Sequence, residues 1–188
     1  MLNLPRVYVI TGENPRDKNE FLRKLKRCLD EGYRLIQFRA PQVTIDEYEN
    51  LAKEAIKISN SYSAKIILNK FVDLVDQIDA NGVHLPSSML MSISNRPLPG
   101  HKLVSASCHT EEQLRHAQRL KVDFVTLSPV ALTKTHPEAL PLGWNKFREL
   151  CSVTQLPVYA LGGMRLSDIS ISLASGGYGI AAISSIWR

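Results

Sequence analysis

Eight short runs of apolar residues recur along the chain, and many of their members are β-branched. Several runs, such as VYVI in the first and GIAAI in the last, are apolar without interruption, which is typical of strands buried on both faces. Parallel sheets covered by helices contain such strands. The runs that we interpret as strands are residues 7–11, 35–39, 65–69, 82–85, 102–107, 124–128, 157–162 and 179–184.

Amphipathic segments separate most of these runs. In the first segment, Phe21, Leu25 and Leu29 recur at helical spacing and predict a helix with one apolar face. The predicted helices are residues 17–31, 44–61, 71–79, 110–120, 143–151 and 166–174. Residues 86–99 are rich in proline, serine and methionine, so we expect a loop there with at most a short helix.

The alternation of strands and helices predicts an α/β fold with a parallel sheet, either an open doubly wound sheet or a closed barrel. Eight strands favour the barrel, a (β/α)8 TIM barrel formed by a single domain over residues 1–188. Because only a few residues follow the eighth strand, we expect the eighth outer helix to be missing. Ile186 and Trp187 would then cover the last strand, either locally or through another subunit.

The composition fits this class of protein. Of the 188 residues, 44% are hydrophobic and 22% are charged, as in ordinary globular proteins. The net charge of +5 comes from basic residues that alternate with acidic ones, and the absence of a basic stripe argues against a nucleic-acid partner. No segment predicts a membrane span or a secretory leader, and Cys28, Cys108 and Cys151 lack disulfide or metal-ligand spacing. We therefore expect a cytoplasmic protein with reduced, mostly buried thiols.

The candidate site lies at the carboxyl ends of the strands, where parallel barrels place their functional loops. Gln37 and Arg39 stand two residues apart at the end of the second strand, so both side chains face the barrel interior. The guanidinium of Arg39 is able to grip an oxyanion in a bidentate manner. An internal ion pair between Arg39 and Glu13 is an alternative that the residues leave open.

Two later loops also suit an anion. Thr133, Lys134 and Thr135 offer two hydroxyls and an ammonium after the sixth strand, although an ordinary solvated loop would explain the same residues. Gly162 and Gly163 after the seventh strand let backbone amides approach a phosphate, and the helix predicted from residue 166 adds its N-terminal dipole. A tight turn alone would also use two glycines. Together these loops predict a phosphorylated small molecule as the ligand.

Seven motifs at the strand ends resemble, in order, the pattern of thiamine phosphate synthases, whose superfamily also contains the thiazole tautomerases. They are IQFRA, the asparagine that ends the third strand, GVHL, the SxHTxE turn, SPVALTKTH, YALGGM and GYGIAAIS. The resemblance covers nearly the whole chain and implies the (β/α)8 barrel. It also implies a transferase of thiamine biosynthesis that joins a pyrimidine diphosphate to a thiazole phosphate, releasing pyrophosphate with the help of Mg²⁺.

The same resemblance implies which residues contact the substrates. Those that would hold the pyrimidine diphosphate are Gln37, Arg39, Asn69 and Ser107. Those that would hold the thiazole and its phosphate are Thr133, Thr135, Gly162, Gly163, Ile183 and Ser184.

The chain departs from the family pattern at the metal. Lys70 stands where the family has its first magnesium aspartate, and Ser88 and Met89 stand where it has the second. We therefore expect no metal ligands in the protein and no cofactor except Mg²⁺ that the diphosphate itself brings. The Lys70 ammonium is a candidate to replace the charge of the metal, with a solvated rim lysine as the alternative. His136 replaces a family lysine and is a candidate acid or base, or an exposed loop histidine.

Two alternatives to a working synthase remain. A thiazole tautomerase would carry its catalytic histidine where this chain has Pro129, which weakens that interpretation. The stretch SPV…T…HPEAxxLGW and the ending in Ile and Trp soon after the last strand most resemble the synthase-like domain fused behind Nudix hydrolases. This resemblance allows an impaired module that binds a phosphorylated ligand beside a hydrolase. A homodimer or a hydrolase partner is left open, and we expect no nucleic-acid or membrane partner. His84 is expected to make a structural hydrogen bond, and His109 to help cap a turn.

Overall fold

In the computed structural model, which describes residues 3–12, 17–133 and 140–188, eight parallel strands close into one barrel. The strands are Val7–Ile10 (β1), Leu35–Phe38 (β2), Lys65–Asn69 (β3), Gly82–Leu85 (β4), Leu103–Cys108 (β5), Phe124–Leu127 (β6), Val158–Ala160 (β7) and Gly179–Ala182 (β8). Each strand pairs with its neighbours in the sequence, and β1 also pairs with β8, which closes the sheet. The predicted (β/α)8 barrel is confirmed, and every strand lies within the apolar run that predicted it or one residue beyond.

Helices cover the outside of the barrel. Within the described residues they are Lys18–Asp30 (α1), Ile45–Asn60 (α2), Leu74–Gln77 (α3), Ser87–Ser92 (α4), Glu111–Arg119 (α5), Gly143–Cys151 (α6) and Ile169–Ala174 (α7). α2 begins with a capping box in which Thr44 and Glu47 each satisfy the other's backbone amide. α4 is the short helix that we expected in the proline-rich segment.

Two helices are shorter than their amphipathic patterns. α3 covers only part of the predicted residues 71–79, because Lys70 and Asp79 adopt positive φ angles of 64° and 50° on its two sides. The segment 166–174 starts as a 3₁₀ turn at Leu166–Asp168 before α7 begins. There the Asp168 carboxylate accepts a hydrogen bond from the Arg165 amide at 2.8 Å. The chain's own carboxylate therefore occupies the helix start that we predicted to face a phosphate.

The residues after β8 form a turn and no outer helix. Ile186 and Trp187 are buried, and the Trp187 ring lies 4.8 Å from the Phe21 ring of α1. A Cβ on Gly12 would come within 2.6 Å of Trp187, so the glycine after β1 makes room for the indole. Residues 186 and 187 thus cover the β8–β1 seam, where the last strand pairs with the first, without another subunit.

The barrel has an apolar core inside the strands as well as between strands and helices. Inside, the ring of Tyr8 contacts Phe124 at 5.0 Å between centroids, and Phe124 contacts Tyr159 at 5.4 Å, both edge to face. These aromatic residues stand at or near the start of their strands. The inner core therefore fills the amino-terminal end of the barrel and leaves the carboxyl end to other side chains.

Two expectations from composition can be compared with the structure. Cys28, Cys108 and Cys151 are buried and unpaired, as expected. Burial raises the pKa of Cys28 to about 11 and the pKa values of Cys108 and Cys151 to about 12, so all three thiols stay protonated at neutral pH. Among the helices described, none combines the length and hydropathy that crossing a bilayer requires.

Candidate functional site

A cavity of about 1120 Å³ opens at the carboxyl end of the barrel, between α1 and the loops that follow β2, β6, β7 and β8. Its volume lies slightly above the roughly 300–1,000 Å³ that is usual for small-molecule sites. Six of the ten predicted substrate contacts line it, namely Arg39, Thr133, Gly162, Gly163, Ile183 and Ser184. The structure thus brings residues predicted for the two different substrates to one cavity.

The two glycines after β7 are required by the backbone. Gly162 and Gly163 have φ angles of 99° and 69°, in the left-handed region that favours glycine. A Cβ on Gly162 would lie 2.9 Å from the Cα of Pro129, and a Cβ on Gly163 would lie 2.5 Å from the Leu132 carbonyl oxygen. The glycines therefore let the loops after β6 and β7 touch, which holds Thr133 and the glycine turn on one wall of the cavity.

The adjoining wall is formed by the end of β8. The Ser185 hydroxyl donates a hydrogen bond to the Met164 carbonyl at 2.8 Å, which ties the β8 loop to the glycine turn. Ile183 and Ser184 line the cavity directly beside this link. Closely spaced backbone groups of two loops, with little side-chain bulk between them, are the structure that holds a phosphate in many barrels of this type.

On the opposite side, Arg39 is fixed by its backbone. The Thr11 hydroxyl at the end of β1 donates to the Arg39 carbonyl at 2.8 Å and accepts from the Arg39 amide at 2.7 Å. The Arg39 side chain lines the cavity. Glu13, the alternative ion-pair partner, lies outside the described residues, so that alternative stays untested.

The end of β3 is fixed in a similar way by a helix. The Tyr48 hydroxyl of α2 donates to the Phe38 carbonyl at 2.9 Å and accepts from the backbone amide of Asn69 at 3.1 Å. Neither Thr11 nor Tyr48 was predicted as a site residue, because both act on backbone groups of neighbouring strands, a role without a local motif. Asn69 itself does not line the cavity.

Two further predicted contacts belong to a buried polar cluster inside the barrel. Gln37 is 3% exposed, and its Nε2 donates to the Tyr8 hydroxyl at 3.1 Å. Ser107 is half-buried, with its Oγ 2.8 Å from Nε2 of His84, while Nδ1 of the same ring lies 2.9 Å from the Ser105 Oγ. The structural hydrogen bond expected for His84 is confirmed, and the ring makes two such bonds.

The electrostatic state of this cluster follows from its burial. Desolvation lowers the pKa of His84 from 6.5 to about 3, so the imidazole is neutral at physiological pH. Desolvation also raises the pKa of Tyr8 well above its ordinary range, so the phenol keeps its proton. Neither Tyr8 nor Ser105 was predicted as a site residue. The two-residue period of a strand nevertheless places Tyr8 on the interior face of β1, and Ser105 on the interior face of β5 together with Ser107.

The replaced metal positions do not form a metal site. Lys70 is exposed at the end of β3, and its ammonium lies 5.0 Å from the centroid of the Phe71 ring. Met89 is half-buried against the outer core. Across residues 3–12, 17–133 and 140–188, no three His, Cys, Asp or Glu side chains are grouped so that they could hold a metal ion. Lys70 and Met89 therefore do not supply carboxylates at the two metal positions of the family pattern.

The two remaining histidine predictions have different outcomes. The His109 ring contacts Ser128 and not its own turn, because its Nδ1 lies 2.8 Å from the Ser128 carbonyl and links the ends of β5 and β6. A carbonyl only accepts, so this nitrogen carries the proton. The bond within the turn is made by the His109 backbone amide, which donates to the Gln113 Oε1 at 2.7 Å. His136 lies outside the described residues together with Lys134 and Thr135, and the predictions for these three residues stay predictions.

The closed parallel barrel, with its cavity at the carboxyl ends of the strands, belongs to the class of (β/α)8 barrel proteins. Within that class, the family profile described as thiamine monophosphate synthase matches residues 7–186, and the chain belongs to this family.

Similar proteins carry related names. A putative thiamine-phosphate synthase 2 of Aquifex aeolicus is 37% identical over 184 residues, which cover 97% of this chain and 98% of that protein. A thiamine-phosphate synthase of Caldivirga maquilingensis is 30% identical over 192 residues, covering 98% of this chain and 90% of the relative. Among solved structures, a thiamine phosphate pyrophosphorylase from Pyrococcus furiosus superposes with a TM-score of 0.78 at 23% identity, over 97% of this chain and 87% of that one. This last likeness supports the fold.

Proposed function

We propose that this protein is a transferase of thiamine biosynthesis that joins a pyrimidine diphosphate to a thiazole phosphate and so forms thiamine phosphate. In this reaction the bond between the pyrimidine methylene carbon and the diphosphate oxygen breaks, pyrophosphate leaves, and the thiazole nitrogen forms the new bond to that carbon. One observation carries the proposal. A single cavity unites Arg39 with the glycine cradle of residues 162 and 163, in a chain that belongs to the thiamine monophosphate synthase family.

The proposed positions of the two substrates follow from the two walls. The diphosphate lies on the side of Arg39, whose planar guanidinium fork matches phosphate oxygens. The thiazole phosphate lies across the cavity against Gly162, Gly163 and Ser184, with the thiazole beside Thr133. This arrangement places the nucleophilic nitrogen opposite the leaving group, and the enzyme acts mainly by holding the two reactants in that geometry.

The negative charge of the leaving pyrophosphate must be stabilised by a group other than the carboxylate-held Mg²⁺ of the family pattern. We propose that Mg²⁺ enters only as the complex of the diphosphate substrate, and that the Lys70 ammonium supplies positive charge in place of the missing carboxylate-held ion. The flexible lysine stem permits the ammonium to leave the Phe71 ring. Affinity for pyrophosphate is measured with and without EDTA in Lys70→Ala and in Lys121→Ala, a control at an exposed lysine that also has a positive φ. Strict Mg²⁺ dependence with no effect of Lys70→Ala would contradict this role.

The reaction itself is tested by incubating the purified protein with the pyrimidine diphosphate and the thiazole phosphate, with and without Mg²⁺. Mass spectrometry should show thiamine phosphate at many turnovers per protein molecule. The matched control is the same incubation without the thiazole phosphate, which separates transfer from hydrolysis of the diphosphate. Loss of the diphosphate without thiamine phosphate would contradict the transferase.

The second candidate is a module that binds a phosphorylated heterocycle without turnover, beside a Nudix-type hydrolase. It is favoured by the lack of a metal-ligand cluster among the residues described. In that case the thiazole phosphate should raise the melting temperature although no product forms. A thiazole tautomerase is disfavoured by Pro129.

The proposal also includes a phosphorylated small molecule as the ligand, a homodimer or a hydrolase as the protein partner, and a cytoplasmic location. Nucleic acid and membranes are not expected partners.

A further inference from the structure

A short chain of buried hydrogen bonds lies inside the barrel between β4 and β5. The Ser105 Oγ lies 2.9 Å from Nδ1 of His84, and Nε2 of the same ring lies 2.8 Å from the Ser107 Oγ. Ser105 and His84 are at most 3% exposed. The chain therefore reaches a predicted diphosphate contact, Ser107, through groups that lie away from water.

The direction of the hydrogen bonds in this chain is restricted by their geometry. Ser105 has one hydrogen to give. Its Oγ lies 2.9 Å from Nδ1 of His84 but 3.5 Å from the Val83 carbonyl. The shorter contact favours donation to Nδ1. A neutral imidazole that accepts at Nδ1 carries its proton at Nε2 and donates it to Ser107.

This direction has a consequence at the end of the chain. When Ser107 accepts from His84, its own hydrogen points away from the ring and is available to a ligand. In the reverse direction Ser107 would donate to His84 and offer only lone pairs. Because a diphosphate carries only acceptor oxygens at this end, the forward direction alone gives a bond between Ser107 and the diphosphate.

We infer that His84 is a positioning residue, held as the neutral Nε2–H tautomer, which leaves the Ser107 hydroxyl as a donor for the diphosphate. Ser107 itself lies inside the barrel and is not among the residues that line the cavity. The inference rests on the proposed function for the identity of the ligand. Because the donors of the chain all face the same way, each bond polarises the next, and the last hydroxyl donates most strongly when negative charge collects on the leaving pyrophosphate. The low pKa of His84 supports this role, since protonation does not reverse the chain at neutral pH.

Two substitutions of His84 should have different effects. Glutamine places its amide nitrogen near the position of Nε2 and keeps a donor for Ser107, whereas asparagine places its amide nitrogen near Nδ1 and does not. We expect His84→Asn to lower kcat about tenfold to hundredfold, with a smaller change in KM, and His84→Gln to recover much of that loss. Melting temperatures of both variants are compared, since each removes one of the two ring hydrogen bonds. Equal kcat in the two variants, or losses that follow melting temperature alone, would overturn the inference.

Nitrogen NMR of the unmodified protein tests the tautomer directly, and His84→Gln serves only to assign the His84 signals. The chain has five histidines, and the signals of His84 are those that disappear in His84→Gln. We expect a neutral ring protonated at Nε2 that does not titrate between pH of about 5 and about 8. A ring protonated at Nδ1, or one that titrates near its ordinary pKa, would overturn the inference.

Binding of inorganic pyrophosphate, measured by calorimetry, separates this inference from the proposed reaction. If the protein makes no thiamine phosphate but His84→Asn weakens pyrophosphate binding more than His84→Gln does, the positioning role stands and the proposed reaction fails. If thiamine phosphate forms and both variants bind pyrophosphate as the unmodified protein does, the proposed reaction stands and the positioning role fails. Absence of pyrophosphate binding by the unmodified protein would overturn the role together with the site.

Discussion

The two ends of the barrel interior are built from different chemistry. Where the strands begin, Phe124 and Tyr159 fill the space with aromatic rings that need no ligand. Where the strands end, the interior holds an imidazole, an amide and hydroxyls, and one of these, Thr126 Oγ1, is fully buried without a partner among the described residues. Tyr8 joins the two ends, because its ring belongs to the apolar cluster and its hydroxyl accepts a hydrogen bond from Gln37. The first end stabilises the fold, and the second end gives up stability to keep polar groups ready for a ligand.

The largest expected effect is at the apolar end. Phe124→Ala should lower the free energy of unfolding by about 3–5 kcal/mol, because it removes a fully buried ring that contacts two others. Urea unfolding measures this loss. Leu140→Ala is the control, since Leu140 is 89% exposed and its truncation should change stability by less than about 0.5 kcal/mol. Similar small losses in both variants would show that the inner core does not carry the stability.

The next effect is the cost of keeping His84 neutral. The folded pKa of about 3 lies below the ordinary value of 6.5, so between these values the unfolded chain binds a proton that the folded one does not. Stability is therefore complete above pH 6.5 and falls as pH decreases, by about 2 kcal/mol from pH 7 to pH 5. The measurement is urea unfolding at both pH values. In His84→Gln the free energy of unfolding should decrease less between pH 7 and pH 5. An equal decrease in the two proteins would contradict the burial of a neutral ring.

A functional effect without a stability effect is expected at the rim of the polar end. Arg39→Ala should weaken pyrophosphate binding about tenfold to hundredfold, because a charge-assisted contact is lost, with almost no change in melting temperature. Calorimetry measures the affinity. Arg119→Ala removes the same charge from the exposed C-terminal turn of α5, at the other end of the barrel, and controls for the net charge. An equal loss in both variants would mean that only the overall field of the protein matters.

The smallest effect has the opposite sign. Thr126→Val should raise the free energy of unfolding by about 1 kcal/mol, because it replaces a buried hydroxyl without a partner by a methyl group of similar size. Thermal or urea unfolding detects this gain. A loss of stability would show that the hydroxyl has a partner, such as a buried water, and that this part of the polar end is already satisfied.

The sequence predicted the barrel well because buried parallel strands have continuous apolar runs, as in Val7–Ile10 and Gly179–Ala182. It was less informative where a residue's role depends on a distant strand. His84 and Ser107 are far apart in the sequence, and their contact exists only because β4 and β5 pair in a register that sets His84 beside Ser105. The metal positions illustrate the same limit, since only the structure shows the Lys70 ammonium beside Phe71 and away from the cavity.

The indole that covers the β8–β1 seam also gives the protein an optical reporter. Trp187 lines the cavity, whereas Trp144, the other tryptophan, packs against Phe147 of α6 at 5.5 Å between ring centroids and does not line it. A ligand that enters the cavity changes the surroundings of one fluorophore and leaves the second as an internal reference. Occupancy of the site by any phosphorylated compound can therefore be followed by intrinsic fluorescence, with no label and no coupled assay.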